Sequence, residues 1–234
     1  MVNYYREKLT ALRLKKCYDI APPRVQKYLK AEVDHVLTKI RLNDIVLELG
    51  CGYGRILSQI ASKAALVIGI DNAYSNLILA KKVLKRYSNC YLLTMDAIDL
   101  SFRSHMFDVV VCIQNGISAF HVDKIRLIAE SIRVTKANGH IIFSSYSDKF
   151  WEDRLEWFQL QSKYGLIGEI DYEKTINGII SCKDGFTATT IGPEEFFKLT
   201  CNLNIEPKIV EVDNSSLFCE IKVKRTQKVY ILRD

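Results

Sequence analysis

Residues 46–55 read Val46-Leu47-Glu48-Leu49-Gly50-Cys51-Gly52-Tyr53-Gly54-Arg55, an apolar run, an acid, and then a glycine at every second position. Glycine forfeits side-chain packing and costs folding entropy. Three of them where a strand turns into a helix therefore ask for a reason. One is a tight strand-to-helix turn and nothing more. The other is a turn whose bare backbone lets N–H groups approach a ligand closely where the helix begins.

Outward from this stretch, apolar strand-like runs alternate with helix-period segments from Ile45 to about Ser147. Residues 45–49 are followed by RILSQIASKA, then LVIGID, the helical SNLILAKKVLKR and the strand YLLTMD. FDVVVCIQ precedes DKIRLIAESIRVTK, which Lys136 and Gly139 are expected to help terminate, and HIIFSSYS closes the series. Near-continuous apolar runs joined by helices predict an α/β protein: a parallel sheet covered on both faces, with right-handed crossovers.

The flanks differ. Residues 3–41 read as two helices separated by Pro22-Pro23. Residues 148–190 hold an aromatic helix (KFWEDRLEWFQLQ), then two hairpin signals, Asn177-Gly178 and Asp184-Gly185. A short helix (EEFFKLTCNL) leads to two last strands, IEPKIVEVD and SLFCEIKVK, joined through Asn214-Ser215.

In open α/β sheets, ligands sit beyond the carboxyl ends of the strands. Each informative residue falls at such an end. Asp71 ends the second strand, 23 residues after Glu48, where an acid can accept both hydroxyls of a ribose. Asp96 ends the third and can accept from an adenine amino group, with Met95 and Ala97 against the ring. Gln114-Asn115-Gly116 ends the fourth, and its polar side chains and open backbone suit a reaction centre.

Competing motifs fail. A GxGxxG fingerprint counted from Gly50 needs glycine at position 55, where Arg55 stands. No GxxxxGK[ST] and no GxSxG occurs. The four histidines (His35, His105, His121, His140) show no ligand spacing, so no metal is expected.

Glu48-Leu49-Gly50-Cys51-Gly52-Tyr53-Gly54, followed in order by Asp71, Met95-Asp96-Ala97 and FDVVVCIQNG, resembles the class I S-adenosylmethionine-dependent methyltransferases. The likeness covers roughly residues 42–147. It implies a Rossmann-like methyltransferase fold, a mostly parallel seven-stranded sheet with a reversed last strand, which the terminal strands suit. It implies S-adenosyl-L-methionine as cofactor, with Glu48, Gly50, Cys51 and Gly52 along its methionine and ribose part. Asp71 and Asn72 would serve the ribose, Met95, Asp96 and Ala97 the adenine, and Gln114 would stand close to the sulfonium.

The fourth-strand loop carries neither [DNS]PP[YF] nor a Pro-Cys nucleophile, and QNGISAF looks more like the small-molecule enzymes. The expected activity is methyl transfer to N or O of a small molecule. The alternatives are an RNA or protein methyltransferase, or a non-catalytic cofactor-binding module of the same fold. Residues 1–41 are expected to form a helical cap, and 42–234 the methyltransferase domain with a lid insertion at about 148–190. Tyr18 and Arg24 are candidates for the cofactor carboxylate or the acceptor. Asn115, His121 and Tyr146 join Gln114 as candidate catalytic groups, whereas Trp151, Trp157 and Phe158 read as core.

The chain of 234 residues is 48% hydrophobic and 26% charged, enough for a substantial core. Its apolar runs are too short to span a bilayer, and the N-terminus lacks a signal-peptide stretch. Seven scattered cysteines without a CxxC pair argue against a disulfide framework and for a reduced, cytoplasmic setting. The net charge of +6 draws on residues 1–45, with ten Lys or Arg against five acids, and on the tail KVKRTQKVYILRD. Solvated helix faces account for it; a nucleic-acid partner would want a denser stripe with aromatics, and no membrane partner is expected.

Overall fold

The computed structural model describes residues 4–201, 203 and 205–224, so the basic tail beyond Lys224 lies outside the described residues. Five strands run parallel: β1 (Ile45–Leu49), β2 (Leu66–Asp71), β3 (Cys90–Thr94), β4 (Phe107–Cys112) and β5 (Thr135–Tyr146). A two-residue pair, β6 (Ile180–Ser181) and β7 (Thr187–Ala188), forms a separate hairpin around Asp184-Gly185. The last two strands are β8 (Lys208–Val212) and β9 (Ser216–Lys222), and β9 runs antiparallel to both β5 and β8. The seven-stranded order is β3-β2-β1-β4-β5-β9-β8.

The helices are α1 (Tyr4–Glu7), α2 (Ala11–Asp19), α3 (Pro23–Leu37), α4 (Leu57–Ile60), α5 (Tyr74–Val83), α6 (Gly116–Ala119), α7 (Lys124–Val134), α8 (Trp151–Lys163) and α9 (Pro193–Cys201). Pro23 opens α3, where its missing N–H costs nothing. Asp123 caps α7 by accepting from the Ile125 and Arg126 N–H groups.

Alternate residues of the central strands feed two cores, which is why the strands read as continuous apolar runs. Leu47, Val110 and Phe143 pack with Leu127 and Ile128 of α7 and Phe196 of α9. Val46, Val67 and Val109 pack with Val33 and Val36 of α3, Ile60 of α4 and Ala80 of α5.

Two local expectations need correcting. RILSQIASKA yields a helix of one turn, α4, inside a run of turns. The expected stop at Lys136 and Gly139 lies inside β5, because the helix ends at Val134 and the strand starts at once. The extra residues are absorbed by a bulge: Phe107 pairs with Thr135, but Val109 already pairs with His140. Gly139 serves close approach there, since a Cβ would meet the Asp108 carbonyl oxygen at 2.7 Å.

A third apolar core lies outside the sheet. Leu9 from the turn between α1 and α2, Cys17 of α2, Tyr28 of α3, Tyr146 of β5, Trp157 and Phe158 of α8, and Phe186 near the small hairpin pack together. Polar ties reinforce it. The Trp157 indole N–H donates to the Cys17 carbonyl at 2.8 Å, and Arg13 donates to the Gly165 and Leu166 carbonyls at 2.7 and 2.9 Å. Tyr4 donates to Asp184 at 2.8 Å.

Candidate active site

The carboxyl ends of β1 to β5 open into a cavity. Glu48, Gly50, Cys51 and Gly52 line it from β1 and the turn after it. Asp71, Asn72 and Asn76 line it beyond β2, and Met95, Asp96 and Ala97 beyond β3. Gln114 and Tyr146 stand at the ends of β4 and β5, and Tyr18 faces them from α2.

The three glycines all take left-handed backbone, at φ 71°, 54° and 81°, which glycine alone adopts freely. Their surroundings differ. A Cβ on Gly50 would lie 2.4 Å from the Phe120 ring and one on Gly54 would lie 2.9 Å from Leu84 of the loop after α5, whereas Gly52 meets only Leu14, at 3.3 Å. So two glycines serve packing and the middle one keeps the cavity wall bare.

Asp71 is buried and holds the turn as well as facing the cavity. One carboxylate oxygen accepts the Gly52 N–H at 2.8 Å; the other accepts the Ala73 N–H at 2.8 Å and the Asn76 amide at 3.1 Å. Burial raises its pKa, against these three hydrogen bonds. Glu48 is also buried, and its Oε2 has no hydrogen-bond partner. Burial pushes its carboxyl up to about 8, against the nearby Arg55 guanidinium and with the Asp71 charge.

Gln114 and Asn115 are both left-handed, at φ 55° and 61°, a strained pair for non-glycine residues. The Gln114 N–H is held by Glu32 Oε2 at 3.1 Å and by Ser144 Oγ at 2.8 Å. This points the Gln114 side chain to the cavity, where its Nε2 is buried without a partner.

Three candidates are placed elsewhere. Arg24 is engaged by Asp213, at 2.7 Å to the carboxylate and 2.8 Å to the carbonyl, and by Asp153 at 3.8 Å, away from the cavity lining. Asn115 spends its side chain internally, donating to the Thr189 carbonyl at 2.8 Å and accepting from Ser145 at 3.0 Å. His121 is exposed and outside the lining. Trp157 and Phe158, read as core, are core and cavity wall at once, and Trp151 packs partly buried beside them.

Other residues escaped the sequence reading. Arg55 stood out only for breaking a different motif, yet it lines the cavity, its Nη2 is buried without a partner, and it stacks 4.6 Å from the Tyr18 ring centroid. Glu32 is fully buried and burial pushes it up to about 7. A signal for it exists. Val25, Tyr28, Leu29, Val33 and Val36 form the buried stripe of α3, and an acid at position 32 falls inside that stripe.

An implied S-adenosylmethionine can be tested against these loose ends. Glu48 Oε2 waits for a donor and Arg55 Nη2 for an acceptor. An amino-acid head group, ammonium and carboxylate together, offers both. Asp71 and Asp96 stand where hydroxyls and an amino group would need acceptors. The residues fit the group.

Residues 46–139 match the model of a family described as a methyltransferase domain. No curated protein matches the chain. Among solved structures, a protein from Pyrococcus horikoshii is 20% identical, with 96% of this chain and 100% of that chain covered at a TM-score of 0.66. A SAM-dependent methyltransferase from Methanosarcina mazei is 19% identical, covering 81% of this chain and 97% of that one at 0.60. The N-methyltransferase NodS from Bradyrhizobium japonicum, solved with S-adenosyl-L-homocysteine, is 14% identical, covering 93% and 99% at 0.60. Likeness at such identities speaks for the fold alone, and the domain match covers less than half of the chain. Residues 46–139 are thus similar to a methyltransferase domain, and the sheet with its reversed β9 has the Rossmann-like fold of such domains.

Proposed function

We propose that the protein transfers a methyl group from S-adenosylmethionine to nitrogen or oxygen of a small-molecule acceptor. The observation that carries this reading is the enclosure. The N-terminal helices, α8 and the segment around the small hairpin share one apolar core and roof the strand ends. A roof of this kind encloses a small acceptor and excludes water.

S-adenosylmethionine, when bound, supplies a methyl group already activated on a positive sulfur. The chain's own residues then have to bind, align and dry the site, a task of proximity and orientation. In this reading Glu48 and Arg55 hold the amino-acid end, Asp71 and Asn72 the ribose, and Met95, Asp96 and Ala97 the adenine. Gln114 faces the transfer point, and Tyr18 and Tyr146 border the acceptor. Residues 1–41 act as a cap and residues 148–190 as a lid.

Calorimetric titration with S-adenosylhomocysteine tests the cofactor half; no binding at high micromolar ligand sinks it. Salt-sensitive retention of RNA by the same protein would move the acceptor from a small molecule to a polymer, because phosphate contacts release counterions.

A further inference from the structure

The walls of the cavity divide by chemistry. Its four charged side chains, Glu48, Arg55, Asp71 and Asp96, all come from β1 to β3 and the turns after them. The wall built from α2, β5 and α8 has none among the described residues. Rings make it instead. Tyr18, Tyr146, Trp157 and Phe158 line the cavity there, with the Trp157 ring centroid 5.8 Å from those of Tyr18 and Phe158. The tyrosine hydroxyls add no charge, because burial pushes both of them up. Such a wall suits a flat ring, which meets it offset-stacked or edge to face.

One amide stands in that wall. The buried face of α8 carries Arg154, Trp157, Phe158 and Gln161. Arg154 lies outside the lining and donates to the Gly178 and Ala188 carbonyls, while Trp157 donates its indole N–H to the Cys17 carbonyl. Gln161 does line the cavity, at 3% exposure, and its side-chain amide makes no hydrogen bond to any described residue. A buried amide left unpaired costs free energy that an apolar side chain on the same helix face would not.

Whichever way round it is turned, the amide offers a donor and an acceptor side by side. A carboxylate can use only the donor and an ammonium only the acceptor, and either would enter a ring-lined wall without a counter-charge. We infer that Gln161 is a specificity-determining residue, and that the acceptor is a neutral flat ring whose polar edge both donates and accepts a hydrogen bond, as a ring hydroxyl or a ring amide does. The inference rests on reading this cavity as a methyl-transfer chamber.

The opposing account is that Gln161 only fills the end of the α8 face. Calorimetry on protein saturated with S-adenosylhomocysteine separates the two. The probes are four naphthalenes substituted at the same position with hydroxyl, methyl, carboxylate or aminomethyl, the last a cation at neutral pH. The naphthol should bind at least about tenfold tighter than each of the others. Gln161→Leu should bring the naphthol down to the level of the methyl compound and leave S-adenosylhomocysteine affinity unchanged. A space-filling side chain would lower the melting temperature and leave the naphthol preference intact, which overturns the role of Gln161. Equal affinities, tighter binding of either charged probe, or no naphthol binding at millimolar concentration overturn the inference. If Gln161→Leu fails to fold, the four-probe series on the unaltered protein still decides. A protein that binds S-adenosylhomocysteine and rejects the naphthol loses this acceptor class and keeps the methyl-transfer reading. One that takes the naphthol through Gln161 without binding S-adenosylhomocysteine loses that reading and keeps the ring preference.

Discussion

The Asn76 side-chain oxygen accepts the backbone N–H of Ala11 at 2.6 Å, tying the first residue of α2 to α5 across the mouth of the cavity. Ala11 is left-handed there, at φ 48°, a conformation that costs an alanine about 1 kcal/mol and needs an external tie to persist. The same side chain donates to Asp71 at 3.1 Å. One amide therefore couples the cavity-lining Asp71 carboxylate to the start of the roof.

Replacing that amide should disturb both ends at once. Asn76→Ala is expected to weaken S-adenosylhomocysteine binding about tenfold, the loss of one or two hydrogen bonds in a buried site. It should also speed amide exchange in residues 4–20. Calorimetry together with hydrogen-exchange mass spectrometry reads both; faster exchange at unchanged affinity would make the tie purely structural.

Glu48 gives a proton count. Held up to about 8 by burial, it is mostly protonated at pH 7 in the free protein. An ammonium group brought against it favours the carboxylate, so S-adenosylhomocysteine binding at pH 7 should release close to one proton per site. Binding enthalpies measured in buffers of different ionisation enthalpy give that number directly, and Glu48→Gln should reduce it to near zero.

Glu32 gives a stability slope. Its folded pKa of about 7 lies above the ordinary carboxyl value of 4.5, so the folded state binds the extra proton. The stability it contributes is whole below about pH 4.5 and is lost as pH rises through 7. Glu32→Gln should therefore flatten the fall in melting temperature between about pH 4.5 and 7. The full margin over that window is about 3 kcal/mol by the linkage relation. Parallel melts of the two proteins across that range check it; identical slopes would mean that Glu32 titrates normally.

Gly50→Ala should be costly twice, through a left-handed φ of 71° and through a Cβ 2.4 Å from the Phe120 ring. A loss of about 2–3 kcal/mol is expected, and adding Phe120→Ala should recover the steric share but not the backbone share of roughly 1 kcal/mol. A double-mutant cycle by denaturant unfolding separates the two. Strict additivity would mean that ring and glycine do not meet.

The sheet was legible because its strands are buried on both faces. Ile45–Leu49 and Leu66–Asp71 begin and end where their apolar runs do. What misled was local: Gly139 looks like a helix stop but answers a close carbonyl inside a bulge. At the site, residues that follow strands were legible from position alone, since topology brings strand ends together. Glu32 and Asn76 were not. Each acts through a partner 65 to 82 residues away. Arg24 misled for the opposite reason, because its acid partners sit at 153 and 213 and no local pattern announces them.

The roof's separate core has a consequence for how such a protein can diversify. Leu9 and Cys17 from the N-terminal segment and Trp157, Phe158 and Phe186 from the segment after β5 interleave in it, while most of the cavity-lining residues belong to the sheet's own loops. The two roof segments are thus a matched pair. Transplanting residues 4–20 alone, or 148–191 alone, into a relative would leave half a core facing the wrong partner. Exchanged together they could carry a new acceptor preference onto an untouched sheet.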